Sequence, residues 1–333
     1  MRTAYVVHDG ATLRREGERL VVTVRHERKQ ELPVHELTQL VLVGNVVLTP
    51  GAVDLVVDRG VDTVLLSHSG RYRGRITGSV SGNVVLRLAQ FRALTDPART
   101  LALARRVVDG KIGNQRALLV RRARYPGAAR LDPRHDVALR AARAGLELAP
   151  DLDAVRGCEG AASAAYFRAL AGCFLPPDMT FDRRSRRPPL DPVNALLSFA
   201  YTLLANAVEA TVERVGLDPY LGSLHAPVPG RPSLVCDLME EHRPWVVDAL
   251  VLSAVNHRAF TPEHFEVSDQ GVLMKPEARR WLVTLFERRL ETRLAPEPGA
   301  DTTSYRLVIE RQCRRLAKVF LEGGEYEPTR LRT

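Results

Sequence analysis

The chain has 333 residues and a formal net charge of +9, from 48 basic and 39 acidic side chains. This length favours two domains over one. Only four of the basic residues are lysines, and the planar guanidinium of arginine suits bidentate contacts with phosphate. A GC-rich genome would account for most of this arginine bias, but not for its uneven placement along the chain.

The four cysteines, at positions 158, 173, 236 and 313, form no CxxC pair. This spacing suggests neither a zinc site nor a disulfide framework, and it favours reduced thiols in a cytosol. The N-terminus lacks the apolar core of a signal peptide. On the sequence alone, we expect no stretch to reach the roughly 18 apolar residues of a membrane span. We therefore expect a soluble, cytoplasmic protein.

The first 80 residues have the pattern of a compact sheet domain. Runs of β-branched and aliphatic residues alternate with turn-forming residues such as Gly17, Gly44 and Gly60. One short helix is expected after Thr49, which would cap it with Pro50 at its first position. The predicted strands are 4–7, 20–24, 39–43 and 63–66.

After residue 80 the sequence becomes rich in Ala, Leu, Arg and Glu, with apolar residues at helical spacing. We predict an α+β protein in which a small N-terminal β-sheet domain (1–80) precedes a larger all-α-helical domain (81–333). The predicted helices are 84–94, 97–123, 151–171, 191–215, 236–255, 276–291 and 304–322.

Two stretches of the helical part are strongly basic. Residues 91–130 carry ten basic and two acidic side chains, and residues 183–187 add four arginines in a loop. A run on one helix is commonly a solvated face. Together with the loop cluster, however, it favours binding to a nucleic-acid backbone.

Acidic residues and one histidine stand out against this positive charge. Glu159 lies on the predicted buried stripe of its helix. A charge there needs compensation, either by a metal ion or by a buried arginine. His225 follows a turn after the long helix 191–215, where a lone histidine is commonly structural.

Asp237 and Glu240 are three residues apart and therefore share one helical face. Two inward carboxylates repel each other unless a cation lies between them or one is protonated. Glu241 is the next residue and therefore points to a different side of the helix. We expect it at the surface, paired with Arg243 or Arg258. Pro244 should kink the helix near these carboxylates.

A site of imidazole and carboxylate groups favours Mg²⁺ or Mn²⁺ over structural zinc. No nucleophile-elbow motif and no Walker-type glycine-rich loop occur in the sequence. Serine-triad hydrolases and P-loop nucleotide-binding proteins are therefore excluded.

The segments that carry these residues, in their order along the chain, resemble the family of CRISPR-associated integrases. Members of this family are the universal endonuclease subunit of spacer acquisition. The resemblance covers most of the chain. Its motifs lie at 110–116, 157–162 (Gly-Cys-Glu-Gly-Ala-Ala), 166–167, 186–199, 218–225 (Asp-Pro-Tyr-Leu-Gly-Ser-Leu-His) and 231–248.

The resemblance implies a β domain, expected to dimerise, followed by a helical catalytic domain. It implies metal ligation and catalysis by Glu159, His225 and Glu240, with Asp237 assisting and with Tyr166 and Asn194 close to the site. Phosphate contacts are expected from basic side chains. These candidates are Lys111, Arg116, Arg184, Arg186, Arg187, Arg243 and Arg258.

The implied reaction is a metal-dependent transesterification that joins prespacer DNA 3′-hydroxyl ends to the CRISPR repeat. The implied partners are double-stranded DNA, a second copy of the chain and a small ferredoxin-like subunit. Two alternatives stay open at this point. One is a metal-dependent DNA-repair nuclease for branched or single-stranded DNA; the other is a non-enzymatic architectural DNA-binding protein with a structural ion-pair network.

Overall fold

The computed structural model describes residues 2–68, 70–78, 83–124, 131–186, 188–269, 271–294 and 302–330. Arg187 and the predicted domain boundary at residue 80 lie outside these described residues. A β-rich N-terminal part precedes a helical C-terminal part, so the predicted fold class is confirmed. The assignment of two separate domains stays a prediction.

Two four-stranded sheets form the N-terminal part. In the first, the order is β1-β5-β7-β8; the first three strands are parallel and β8 is antiparallel. The second has the order β4-β3-β2-β6. The strands are β1 Arg2–Val6, β2 Ala11–Glu16, β3 Arg19–Val24, β4 Glu27–Pro33, β5 Leu37–Val43, β6 Val46–Leu48, β7 Asp62–Leu66 and β8 Tyr72–Ile76.

All four predicted strands are present as β1, β3, β5 and β7, and the sequence pattern missed the other four. Strand β4 shows the reason, because its sequence Glu-Arg-Lys-Gln-Glu-Leu-Pro is almost entirely charged or polar. It lies at the edge of its sheet, where side chains face solvent and need not be apolar.

Strand β5 connects two hydrophobic cores. Leu40 and Leu42 face a core made by the two sheets and helix α1 (Pro50–Asp58). Val41 and Val43 face the core of the helical part. Because both faces of this strand are buried, its sequence is a continuous apolar run. The first sheet and the helical part therefore share one hydrophobic core.

Six predicted helices are confirmed to within two residues, and a helix at 133–148 was missed. The α-helices after α1 are α2 Val84–Thr95, α3 Pro97–Arg122, α4 Pro133–Leu148, α5 Leu152–Ala171, α6 Pro192–Val215, α7 Ser233–Met239, α8 Ala249–Asn256, α9 Pro276–Glu291 and α10 Tyr305–Glu322. Two short hairpins complete the described elements: β9 Phe265–Ser268 with β10 Gly271–Met274, and β11 Arg293–Leu294 with β12 Thr303–Ser304.

The predicted helix 236–255 is not continuous. Helix α7 ends at Met239, a π-helical segment follows over Arg243–Asp248, and α8 then begins at Ala249. Pro244 has no backbone N–H to donate to the preceding turn, which accounts for the break. The predicted disturbance at Pro244 is thus confirmed, and it places Glu240 and Glu241 in the turn between two helical segments.

Helix α6 is the central helix of the C-terminal part. Among the described helices, it alone is long and apolar enough to cross a bilayer, with a mean hydropathy of 1.4 in its most apolar window. However, 72% of that window is buried inside the protein. Its apolar character therefore matches its place in the core.

A buried ionic cluster joins the β-rich part to α6. Arg75 of β8 contacts Asp62 of β7 at 2.9 Å, and it contacts Glu209 and Glu213 of α6 at 2.9 and 3.0 Å. Gln39 of β5 donates to Asp62 at 2.8 Å and to the Asn206 carbonyl at 3.3 Å. These contacts tie the first sheet to the long core helix.

Candidate active site

Helix α5 carries Glu159 in a half-buried position. Its Oε1 atom accepts a hydrogen bond from Ser163 Oγ at 2.9 Å and forms a close ion pair with the Lys111 ammonium. The sequence left a metal ion or a buried arginine as the compensating cation. The cation in the structure is instead a lysine from α3.

Lys111 links Glu159 to a second carboxylate. Its Nζ atom lies 2.7 Å from Glu240 Oε2, and only 6% of its side chain is exposed. Its ammonium is directed at these two carboxylates rather than at solvent. The structure therefore brings together Glu159 of α5 and Glu240, which directly follows α7, on one cation.

The Glu240 carboxylate is strongly stabilised in its charged form. Burial by itself would raise its pKa, but the charges of Arg243 and Lys111 outweigh burial and lower the pKa to about 2. Arg243 Nη2 lies 3.3 Å from Glu240 Oε1. The guanidinium of Arg243 also stacks over the ring of Tyr201, at 4.9 Å from its centroid.

Asp237 holds the loop that carries His225. Its Oδ2 atom accepts hydrogen bonds from the backbone N–H groups of Ser223 and Leu224, at 2.5 and 3.0 Å. Its Oδ1 atom accepts from the backbone N–H of His225 at 3.0 Å. Asp237 Oδ1 also lies 2.7 Å from His225 Nδ1. An ionised carboxylate accepts hydrogen bonds but cannot donate them, so Nδ1 must carry the proton in this contact. In the neutral imidazole the free lone pair then lies on Nε2.

Two further contacts fix this loop. A Cβ atom at Gly222 would lie 2.7 Å from the Ser233 carbonyl carbon and 2.8 Å from Asp237 Oδ2, so only glycine fits there. Arg156 of α5 donates from Nε to the Leu224 carbonyl at 3.0 Å. The loop is thus anchored to α7 on one side and to the helix of Glu159 on the other.

The donor set fits a hard divalent cation in its chemistry. Two carboxylates and an imidazole Nε2 are suitable ligands for Mg²⁺ or Mn²⁺, and the Asp237 contact is the outer-shell support that ligating histidines commonly have. Among the described residues, no three His, Cys, Asp or Glu side chains are grouped closely enough to hold a metal ion as they stand. The Lys111 ammonium lies between the two carboxylates, so metal binding would require its flexible side chain to move.

A second buried cluster adjoins this site through Tyr201, whose ring lies against the Arg243 guanidinium. Tyr166 of α5 donates to Asp248 Oδ2 at 2.6 Å, and Tyr201 of α6 donates to Asp248 Oδ1. Burial raises the pKa of Asp248 to about 6, against the hydrogen bonds of the two tyrosines and the charge of Arg243. Tyr166 therefore contacts Asp248 rather than the proposed ligands. Sequence reasoning had not singled out Asp248 or Tyr201 for any role.

The comparisons with known proteins agree on one family. A family model described as CRISPR associated protein Cas1 matches residues 4–288. CRISPR-associated endonuclease Cas1 2 of Rhodospirillum rubrum is 40% identical over 302 residues, which are 87% of this chain and 86% of the relative. The chain belongs to the Cas1 family. CRISPR-associated endonuclease Cas1 3 of Thermus thermophilus is 40% identical over 331 residues, with 98% and 97% coverage.

Solved structures share the fold of this Cas1 family member. A CAS1 protein from Thermotoga maritima has a TM-score of 0.87 at 23% identity and covers 98% of this chain and 99% of its own. A casposase bound to an integration product has a TM-score of 0.86 at 21% identity, over 99% and 93% of the two chains. A Cas6-RT-Cas1–Cas2 complex has a TM-score of 0.82 at 20% identity, covering 99% of this chain and 36% of that one. The resemblance found in the sequence motifs is thereby confirmed at the level of family and fold.

Asn194 of this Cas1 family chain braces the loop before α6. Its Oδ1 atom accepts hydrogen bonds from Arg184 Nη1 at 2.7 Å and from the Ser185 backbone N–H at 2.9 Å. Its Nδ2 atom donates to the Arg183 carbonyl at 2.8 Å. Arg184 in turn donates to Ser198 Oγ at 2.9 Å. Asn194 and Arg184 therefore shape the basic loop, and their predicted roles at the site and on DNA stay predictions.

The other predicted phosphate contacts differ in their surroundings. Arg116 pairs with Asp136 at 2.6 Å, and Arg258 pairs with Asp178 at 2.5 Å. Arg186 is exposed, and Arg187 lies outside the described residues. DNA binding by these arginines stays a prediction.

The prediction that Glu241 lies at the surface is wrong. Its side chain is fully buried, its Oε1 accepts from Tyr326 Oη at 2.7 Å, and its Oε2 accepts from the Thr329 backbone N–H at 2.7 Å. Burial raises its pKa to about 7 although these hydrogen bonds favour the charged form. The partners are 85 and 88 residues away along the chain, so local spacing could not reveal them.

Proposed function

We propose that this Cas1 family member is a metal-dependent DNA integrase and endonuclease of CRISPR adaptation. It would join the 3′-hydroxyl ends of prespacer DNA to the CRISPR repeat by transesterification. The observation that carries this proposal is the meeting of Glu159 and Glu240 on one ammonium. The family and the names of its curated endonuclease relatives support the reaction class.

Glu159, Glu240 and His225 would hold Mg²⁺ or Mn²⁺. When bound, such an ion polarises a phosphodiester and stabilises the charge that develops in an in-line displacement. Glu240 is charged at neutral pH, so its carboxylate could bind a metal ion once the Lys111 ammonium has moved away. Asp237 holds the Nδ1 proton of His225, which presents Nε2 as the ligand atom.

The proposed step conserves bonds and charge. The prespacer 3′-oxygen forms a bond to phosphorus, and the bond from phosphorus to the leaving 3′-oxygen of the repeat strand breaks. The attacking hydroxyl gives its proton to solvent, and the leaving 3′-oxygen takes a proton from solvent. One phosphodiester replaces another, so the step needs no further energy source. With water as the attacking group, the same residues would support hydrolytic cleavage.

Lys111 is suited to two roles in this scheme. Without a metal it neutralises the facing carboxylates of Glu159 and Glu240. When a divalent ion displaces it, its ammonium would be free to contact a DNA phosphate beside the same carboxylates. Arg186, which is exposed in the loop before α6, would position a DNA phosphate, and its contribution should weaken with added salt.

The proposed partners are double-stranded DNA, a second copy of this chain, and a small ferredoxin-like subunit. A structural neighbour that is a Cas1–Cas2 complex and another that is bound to an integration product support the expectation of a protein partner and of DNA. The β-rich part is the proposed dimerisation region.

The test is strand transfer by the purified protein, together with its small partner, from a fluorescent prespacer to a plasmid that carries a CRISPR repeat. We expect joined products with Mg²⁺ or Mn²⁺ and none with EDTA. Glu159→Ala, His225→Ala and Glu240→Ala should each lower the rate by at least about a hundredfold. Glu322→Ala, which removes an exposed carboxylate at the end of α10, is the matched control and should retain the wild-type rate.

Other results of the same assay would support other functions. Cleavage of branched or single-stranded DNA with no joined product would indicate a repair nuclease. DNA binding with no metal-supported chemistry, and with the Glu159→Ala variant indistinguishable from wild type, would indicate an architectural protein whose carboxylates only pair with Lys111. Either outcome would overturn the integrase proposal.

A further inference from the structure

The chain beyond α10 packs against helix α3 and against the turn that carries Glu240 and Glu241. We call residues 323–330 the tail strap. Within it, Tyr326 is 2% exposed and Thr329 is 6% exposed. Their hydroxyl and backbone N–H groups donate to the two carboxylate oxygens of Glu241, each at 2.7 Å. Glu241 directly follows Glu240, so the strap holds the turn from which the proposed ligand projects.

The tail strap also fastens this turn to the helix of Lys111. Asn114 of α3 donates from Nδ2 to the Glu241 carbonyl and to the Thr329 carbonyl, at 2.8 Å in both cases. At Gly110, a Cβ atom would lie 2.5 Å from Pro328 Cβ and 3.1 Å from Glu241 Cγ. Three segments therefore meet where only a glycine fits, one residue before Lys111.

Contacts near both ends keep the strap in place. Arg330 pairs with Asp109, and Arg106 pairs with Glu325, so both pairs join the strap to α3. Arg315 of α10 donates to the Glu327 carbonyl at 2.7 Å. The exposed Arg106–Glu325 pair should contribute little. The buried hydrogen bonds to Glu241 should contribute more, because a buried carboxylate that loses a donor has no water to replace it.

We propose that the tail strap is a positioning element of the active site, and that Tyr326 and Glu241 are positioning residues for Glu240 and Lys111. The inference rests on the proposed function only for its catalytic readout. Neither residue touches the proposed ligands with its side chain; both act through the backbone turn at Glu240 and through α3. Small displacements of a ligand or a charged side chain are sufficient to slow a reaction strongly.

The test compares four variants of the full-length protein with its small partner: Tyr326→Phe, Glu241→Gln, the double variant, and Glu325→Gln. Tyr326→Phe removes one hydroxyl from the strap. Glu325→Gln alters only the exposed strap pair with Arg106 and is the matched control. Strand transfer and Mn²⁺ affinity are measured well below the melting temperature of every variant, and amide hydrogen exchange is measured over residues 106–115 and 238–243.

We expect Tyr326→Phe to lower kcat by about tenfold with KM for DNA changed less than about twofold, and to weaken Mn²⁺ binding. Exchange at residues 238–243 should accelerate in Tyr326→Phe and not in Glu325→Gln. The loss of rate in the double variant should be smaller than the product of the two single losses, because both changes act on the same contact between the strap and residue 241.

A lowered melting temperature with kcat, Mn²⁺ affinity and exchange at 238–243 equal to wild type would overturn the inference and leave the strap a stabilising segment alone. If the wild type neither joins nor cleaves DNA, the proposed function fails instead. The exchange comparison between Tyr326→Phe and Glu325→Gln then still decides whether the strap orders the turn at Glu240.

Discussion

The Nδ1 atom of His225 lies 2.7 Å from Asp237 Oδ1, and the same aspartate accepts the backbone N–H groups of residues 223, 224 and 225. One buried carboxylate thus sets both the path of the loop and the tautomer of its histidine. The positions of the proposed metal ligands therefore depend on residues that would not themselves touch the metal.

Replacing this carboxylate tests its supporting role. Asp237→Asn keeps the side-chain shape but directs an NH₂ group at N–H donors, so His225 should lose its fixed orientation. We expect Mn²⁺ affinity to fall by about tenfold to a hundredfold, as for other outer-shell partners of metal ligands. Isothermal titration calorimetry measures this, with Asp132→Asn at the N-terminus of α4 as the control. Equal Mn²⁺ affinity in Asp237→Asn and wild type would contradict the assignment.

Lys111→Met tests whether the ammonium stands in for a metal ion. Without it, Glu159 and Glu240 lose their shared cation, and we expect the metal-free protein to lose about 2 kcal/mol of unfolding free energy. Mn²⁺ should then raise the Tm more in the variant than in the wild type, because no ammonium has to be displaced. Differential scanning fluorimetry with and without Mn²⁺ measures both effects. Lys318→Met, at an exposed site, should behave as wild type; an unchanged Tm in Lys111→Met would refute this role.

Gly222 should tolerate no side chain. An alanine Cβ would lie 2.7 Å from the Ser233 carbonyl carbon and within 2.8 Å of Asp237 Oδ2, so Gly222→Ala must displace the His225 loop. We expect a loss of about 2 kcal/mol or more in urea unfolding. The contrasting change is Gly160→Ala on α5, where a Cβ would meet no described atom within 4 Å and higher helix propensity should add up to about 1 kcal/mol. Similar stabilities for the two variants would contradict the packing described at Gly222.

The ionic cluster between β8 and α6 should make stability depend on pH. Burial raises the pKa of Glu209 to about 7 from its ordinary 4.5, despite the opposing charge of Arg75. Between these values the folded protein binds a proton at Glu209 more tightly than the unfolded chain does. This carboxyl therefore makes the unfolding free energy fall as pH rises from about 4.5 to 7.

Glu209→Gln removes that titration. Relative to the variant, the wild type should lose about 2 kcal/mol of unfolding free energy between pH 5 and pH 8. Urea unfolding at several pH values measures the difference, and other titrating groups largely cancel in it. Glu263→Gln, at an exposed position, should leave the pH profile unchanged. A constant difference between wild type and Glu209→Gln would show that Glu209 titrates normally.

Much of the fold could be predicted from local patterns, because apolar periodicity, helix caps and helix-breaking residues act over short distances along the chain. Helix α6 begins after an aspartate N-cap with a proline at its first position and ends at a glycine in the left-handed conformation. Helix α4 begins with the same Asp-Pro signal at Asp132 and Pro133, so it was missed although its start could have been recognised.

The site was only partly predictable because its contacts join distant segments. The motifs identified Glu159, His225 and Glu240, but Lys111 is 48 residues from Glu159, and no local spacing shows that its ammonium would lie between two carboxylates. Glu241 was misplaced for the same reason, since its partners belong to the C-terminal segment. Glu240 and Glu241 lie in the turn before Pro244 and face different partners, Lys111 and the C-terminal segment.

The most direct test of the central claim is Mn²⁺ binding followed by electron paramagnetic resonance. Wild type is titrated beside Glu159→Gln, His225→Ala, Glu240→Gln and the surface control Glu322→Gln. We expect one tight Mn²⁺ site per chain in wild type and in the control, and affinities at least about a hundredfold weaker in the other three variants. No tight site in wild type, or equal affinity in the Glu240→Gln variant, would contradict the central claim.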